Sequence, residues 1–200
     1  MTDNDHPVAG IIRNVRNIFM AALVLGLVAF PALSQTRQSS SHMDDQALAE
    51  LFLALSQSAN STEAAKIANR IWKIWLTPSP VELFNQMQDV MKARQLGDFG
   101  RAVRLLDEIT ANYPGYAEAF NQRATLLFLV KDYNAALLDL AETLRLEPRH
   151  FGALVAQAII YQRLGKNRQA LRSIVAALKI YPYLEQRNLF EQLLKPITRI

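Results

Sequence analysis

The chain has 200 residues, half of them apolar, and a net charge of +4 from 22 basic and 18 acidic side chains. That composition supports one sizeable core or an extended stack of small ones, and it excludes a chain disordered over most of its length. No run of five like charges occurs and cysteine is absent, which removes basic arms, acidic tails, disulfides, thiolate metal sites and thiol nucleophiles.

Residues 1–34 follow the plan of a secretory signal. Arg13 and Arg16 lie in a polar start, Ile18 to Phe30 is apolar, and Pro31-Ala32-Leu33-Ser34 supplies small residues at the spacing a signal peptidase requires. The apolar stretch is too short to cross about 30 Å of hydrocarbon. Cleavage after Ser34 and export to the periplasm are therefore expected, with retention as a membrane anchor through residues 18–33 as the alternative. Residues 35–43 are polar, show no apolar periodicity and read as a flexible linker.

One period organises the rest. Pro80, Pro114, Pro148 and Pro182 stand 34 residues apart, as do Ala68, Ala102, Ala136 and Ala170, then Trp72, Leu106, Leu140 and Ile174, then Leu96, Val130 and Leu164. A period of this length means a stack of supersecondary units. The apolar spacing predicts two amphipathic helices per unit. In the third, Ala119, Phe120, Ala124 and Leu127 form one stripe, Lys131-Asp132 breaks it, and Tyr133, Ala136, Leu137, Leu140 and Leu144 form the next. Pro148 stops the second helix, because proline lacks an amide hydrogen and disfavours helix at the preceding Glu147. In the neighbouring units Gly97 and Gly165 can supply the left-handed residue that ends the first helix. Alanine at 102, 136 and 170 lets the two helices of a pair approach closely.

These columns resemble the tetratricopeptide-repeat (TPR) family, whose units carry small residues at the eighth and twentieth places and proline at the thirty-second. In that frame the units are residues 49–82, 83–116, 117–150 and 151–184. The third carries Phe120, Ala124, Leu127, Ala136, Leu140 and Pro148 at family places, and the fourth Leu154, Ala158, Tyr161, Ala170, Ala177 and Pro182. The second keeps Gly97, Ala102, Leu106 and Pro114, with Val90 at a usually small place and Gln86 at a usually aromatic one. The first keeps Phe52, Ala68, Trp72 and Pro80, so residues 44–82 are expected as a degenerate N-terminal helical pair, with Trp72 in the core and Trp75 at the unit boundary. Leu189, Phe190, Leu193 and Leu194 share one face of residues 185–200, which reads as a capping helix over the apolar end of the stack. The expected fold is all-α: an α-solenoid of antiparallel helix pairs, with three clear units at 83–184, one degenerate unit and a cap.

The resemblance implies a concave groove lined by the first helix of each pair. Its lining would be Phe84, Met87, Met91 and Arg94 from the second unit, Glu118, Asn121, Thr125 and Phe128 from the third, and Val155, Ile159 and Gln162 from the fourth. Methionine and phenylalanine suit adaptable contact with an apolar segment; the other reading of Met87, Met91, Val155 and Ile159 is packing between adjacent pairs. Family members that grip acidic chaperone tails use a clamp of lysine, arginine and asparagine, and this chain has Met87, Met91, Gln122, Gly152 and Ala156 at those places. Arg101, Arg104, Arg168 and Arg172 on the second helices are expected on the convex side.

Chemistry has few carriers. His6, His42 and His150 fall in the signal, the linker and an inter-repeat turn, so no metal site follows. No phosphate loop, dinucleotide fingerprint or nucleophile elbow occurs, and neither catalysis nor a cofactor is expected. The sequence therefore reads as a periplasmic or envelope scaffold or adaptor that binds a protein or peptide segment in its groove. Nucleic acid is not an expected partner, membrane contact is confined to the N-terminal segment, and homo-oligomerisation is left open. The alternative is an uncleaved, membrane-anchored assembly subunit that self-associates.

Overall fold

The computed structural model describes residues 45–194; the expected signal, the linker and the end of the capping segment lie outside the described residues. Within them the chain is built from helices alone. These are α1 (residues 45–56), α2 (Ser61–Leu76), α3 (Val81–Gln95), α4 (Phe99–Asn112), α5 (Ala117–Leu129), α6 (Tyr133–Leu146), α7 (Phe151–Arg163), α8 (Asn167–Ile180) and α9 (Arg187–Leu194).

The pairs α3–α4, α5–α6 and α7–α8 form the solenoid, and the 34-residue columns mark its joints. Ala102, Ala136 and Ala170 are fully buried where the helices of each pair cross, since a larger side chain would force the axes apart. Each second helix ends at the residue before a proline: Tyr113, Glu147 and Tyr181 donate their amides to Ile109, Thr143 and Ala177, and the proline that follows has no amide to continue the ladder.

The turn inside each pair is closed identically. Gly97, Lys131 and Gly165 adopt positive φ of 73°, 64° and 70°, and each opens a Schellman pair of hydrogen bonds. Asp98 N–H reaches Ala93 O, Asp132 N–H reaches Leu127 O and Lys166 N–H reaches Tyr161 O. Asp98 and Asp132 then cap the next helix, accepting from Arg101 N and Ala135 N. Lys131 meets the left-handed geometry at a position where its neighbours use glycine. Lys131→Gly should therefore stabilise the protein by about 0.5–1 kcal/mol, the left-handed penalty of lysine outweighing the extra entropy of unfolded glycine; a thermal melt that moves down rather than up contradicts this.

Between pairs, Arg123 of α5 acts as a bracket. Its Nε and Nη2 donate to both oxygens of Asp139 on α6 at 2.8 and 2.7 Å, while Nη1 donates to Asp107 and Thr110 of α4 at 2.8 and 2.9 Å. The hydrogen bond to Asp139 chiefly holds the guanidinium above its already high ordinary pKa, against the opposing effect of burial.

The N-terminal pair departs from simple stacking. The core of α3–α4 unites Leu83, Met87, Val90, Ala93, Ala102, Leu106 and Ile109 with Ala119 and Leu126 of α5, and contains no residue of α1 or α2. Leu48, Leu51, Phe52 and Leu55 of α1 and Ala64, Ile67, Ala68, Ile71 and Trp75 of α2 share a cluster with Phe151, Leu154, Val155, Ile174, Leu189 and Leu193 of α7, α8 and α9. The α1–α2 hairpin thus folds over to the far end of the repeat array rather than extending its near end. The expected placement of the tryptophans is reversed: Trp75 is in the core and Trp72 is half-buried against it. The reason is that the partner surface is α7, with its aromatic N-terminus, and not α3.

Candidate partner-binding face

The residues expected to line the groove meet different fates. Met87 is 1% exposed and belongs to the α3–α4 core. It falls on the stripe Leu83, Met87, Val90, whose spacing of four and three turns it inward, so it is corrected from groove lining to core. Met91 is exposed beside Arg94, whose Nη1 lies 4.0 Å from its sulfur, and Phe84 is half-buried. Glu118, Asn121 and Val155 are buried, while Thr125, Phe128, Ile159 and Gln162 keep partial exposure.

Burial of Glu118 comes from a network that spans α3, α5, α7 and α2. Its carboxylate accepts from Asn121 Nδ2 at 3.2 and 3.3 Å, from Gln122 Nε2, and from His150 Nε2 at 2.9 Å. Gln122 Oε1 in turn accepts from Arg94 of α3. His150 is the N-cap of α7, its Nδ1 accepting from Ala153 N at 3.0 Å. That acceptor role assigns the ring proton to Nε2, where it serves Glu118. A buried carboxylate is tolerable only with its lone pairs occupied, and here three side chains converge on it.

Trp75 of α2 lies flat on the imidazole of His150, with ring centres 4.0 Å apart and an interplanar angle of 6°. Trp72 packs edge-on against both His150 and Phe151 at 5.4 and 5.5 Å. Gly152 makes this possible, because a Cβ there would come within 2.7 Å of Trp72 Cη2. Tyr116 Oη donates to Trp75 O at 2.6 Å, and burial, with a smaller contribution from Glu118, pushes its phenol far above the ordinary value. Arg149 completes the seat: its guanidinium stands 4.3 Å from the Phe52 ring centre while pairing with Glu147. Sequence reasoning placed His150 in a turn, noted Gly152 only as standing at a clamp place of the family, and did not single out Tyr116. The available signal was position: Gly152 occupies the same place in its unit as Glu118, one of the expected lining residues.

The hairpin packs on His150, Phe151, Gly152 and Val155 at the start of α7, with Tyr116 ahead of α5 bonded to its last turn, and a second surface lies farther along α5 and α7. There Ala124, Thr125 and Phe128 of α5 and Ala156 and Ile159 of α7 enclose an apolar pocket of about 90 Å³. The Arg163 guanidinium stands 5.3 Å from the Phe128 ring centre. Of the expected lining, the structure brings together Thr125, Phe128 and Ile159. Among the described residues no group of three or more histidines or carboxylates could hold a metal ion, and none of the helices is long and apolar enough to cross a membrane.

Comparison with known proteins agrees with this architecture. No family model matches the chain. A TPR repeat-containing protein of Rhizobium etli is 33% identical over 167 residues, covering 80% of this chain and 82% of that protein. Among solved structures, the first TPR domain of Spaghetti (RPAP3), bound to the HSP90 peptide SRMEEVD, superposes with a TM-score of 0.56 at 15% identity, covering 61% of this chain and 98% of that one. A MamA double mutant superposes at 0.54 with 20% identity, covering 76% and 86% of the two chains. The identity and coverage shared with the Rhizobium etli protein, on a solenoid of three 34-residue helix pairs, place this chain in the tetratricopeptide-repeat family.

Proposed function

We propose that the protein is an interaction module of the cell envelope, a scaffold or adaptor that holds a segment of another protein on the concave face of α3, α5 and α7. The observation that carries this reading is that the same face already receives a helix: α2 lies on Gly152 and Val155 of α7, and the apolar pocket of Thr125, Phe128 and Ile159 continues beyond it. An exposed apolar pocket next to an occupied helix seat offers an anchor for a side chain of an incoming segment. The RPAP3 domain, similar in fold, is itself bound to a peptide. Here Met91, Gln122, Gly152 and Ala156 stand at the family's clamp places, and Gln122 is engaged with Glu118 and Arg94. An apolar anchor is accordingly favoured over a grip on a terminal carboxylate. The module acts by binding, without catalysis or a cofactor.

Export is part of the proposal, resting on the signal-like plan of residues 1–34. Purification from a fractionated native host checks it: Gln35 as the first residue in a soluble periplasmic fraction is expected, whereas Met1 or Thr2 in membranes means an anchored subunit. Groove use is checked by affinity capture from envelope extract. Ile159→Asp should lower partner recovery at least tenfold by placing a charge in the pocket, while Leu138→Asp, on an exposed position of α6, should leave recovery unchanged. Equal recovery by two folded variants removes the groove assignment.

A further inference from the structure

The hairpin sits on the face that the preceding reading assigns to a partner. We propose that α2 is a displaceable resident of that face, and that the partner presents an amphipathic helix with two large aromatic or apolar residues three apart near its C-terminal end. This inference rests on the concave face being the binding face.

The seat is a mould of such a helix. The missing side chain of Gly152 leaves a slot for one ring, and a Cβ there would fall 2.7 Å from the Trp72 indole. His150 offers a flat surface to the second ring, 4.0 Å from Trp75. Tyr116 Oη, 2.6 Å from Trp75 O, serves one of the carbonyls that every helix leaves unpaired in its last turn. None of these features depends on the covalent link between α2 and the repeats. Phe151 and Val155 complete the apolar wall.

Two further observations point to exchange rather than permanent closure. The cores of α3–α4 and α5–α6 contain no α1 or α2 residue, so much of the repeat array is held together without the hairpin. Beside the seam, an open surface cleft of about 440 Å³ runs between α2 and the repeats, lined by Ala68, Trp72, Gly152, Val155 and Leu184 among others, so one flank of α2 is accessible to an incoming helix. A helix tethered through Thr77-Pro78-Ser79-Pro80 competes at an effective concentration on the order of millimolar. An outside helix therefore binds with an affinity reduced by the fraction of time the seat is free.

The test uses the chain from Gln35 and a fluorescein-labelled peptide of residues 61–76, followed by anisotropy. Trp72→Ala with Trp75→Ala in the protein weakens the resident helix and leaves its seat intact. The peptide should bind this variant at least tenfold more tightly than it binds the native chain, and adding Gly152→Val should abolish the gain by filling the slot. Equal binding to native and weakened chains, or no binding to a weakened chain that still melts cooperatively, overturns the proposal. Should the double variant fail to fold, the native protein gives a second reading. Its two tryptophans are both on α2, so an excess of a peptide with phenylalanine at both tryptophan positions should shift their emission to longer wavelength. An unchanged spectrum at saturating peptide refutes displacement. A chain that captures its partner through Ile159 yet ignores the peptide loses only this inference, whereas insensitivity of capture to Ile159→Asp removes the groove reading beneath it.

Discussion

Replacing Arg123 with methionine should destabilise the protein by about 3 kcal/mol, the lower end of the ~3–5 kcal/mol that follows from stripping one partner from a buried ion pair. Asp139 is 7% exposed and receives two of the guanidinium's hydrogen bonds, so the variant leaves a carboxylate in a half-dry seam without its cation. Asp107 contributes less because it is exposed and can turn to water. For a protein of this size the loss corresponds to a fall in Tm of about 6–12 °C. The decisive measurement is a double-mutant cycle. Arg123→Met with Asp139→Leu should recover most of the loss, since the stranded charge is gone and an apolar pair of similar volume replaces the bracket. If the double variant is as unstable as the two single losses combined, the bracket does not work through charge pairing.

His150→Ala should cost about 3–4 kcal/mol, because a single ring performs three tasks. It caps α7 through Ala153 N, for which about 1 kcal/mol is typical. It stacks against Trp75, a geometry contributing about 0.5–1.5 kcal/mol beyond buried area. It also donates to a carboxylate with 1% exposure, and losing a donor there costs about 1–3 kcal/mol. The three tasks separate experimentally. His150→Asn retains a side chain that caps helices well and should regain about 1 kcal/mol relative to alanine. Tryptophan emission should shift equally in both variants, because neither side chain can stack as imidazole does. Equal stability of the alanine and asparagine variants rules out the capping role.

The repeat array was legible in the sequence because its columns encode local geometry. Proline records where a second helix must stop, alanine records how closely two axes approach, and both requirements recur at every pair. The turn at Lys131 was legible only as a polar break, because lysine gives no signal of the left-handed conformation that glycine advertises at 97 and 165. The groove list was legible by register alone. Register predicts the same orientation for equivalent residues of every unit, and Met87, Asn121 and Val155 are all buried, as the stripe from Leu83 to Val90 already indicates for Met87. Thr125, Phe128 and Ile159 converge on one pocket. The seat of the hairpin was not legible. The apolar stripe of α2 states that Ile67, Ile71 and Trp75 must be covered, and that stripe is satisfied equally by stacking on α3 or by crossing to α7. What decides between them is the shape of a distant surface, made by Gly152 and His150, which no local pattern in α2 describes.

The crossing of α1 and α2 to the far end of the array also sets an order of events at birth. These helices are synthesised before the repeats, yet the residues that cover them extend to Leu189 and Leu193 of α9. At a synthesis rate of roughly 5–20 residues per second, the stretch from Leu76 to Leu194 takes on the order of 6–25 s. For that interval the native cover of Phe52, Ile71 and Trp75 is incomplete, although the first repeat pairs can already fold beside them. Closing contacts so distant in sequence is slow compared with forming a helix pair. A nascent chain of this protein therefore passes through a stage in which folded repeats carry a sticky leading hairpin, open to holding chaperones and to the vacant seat of a neighbouring copy.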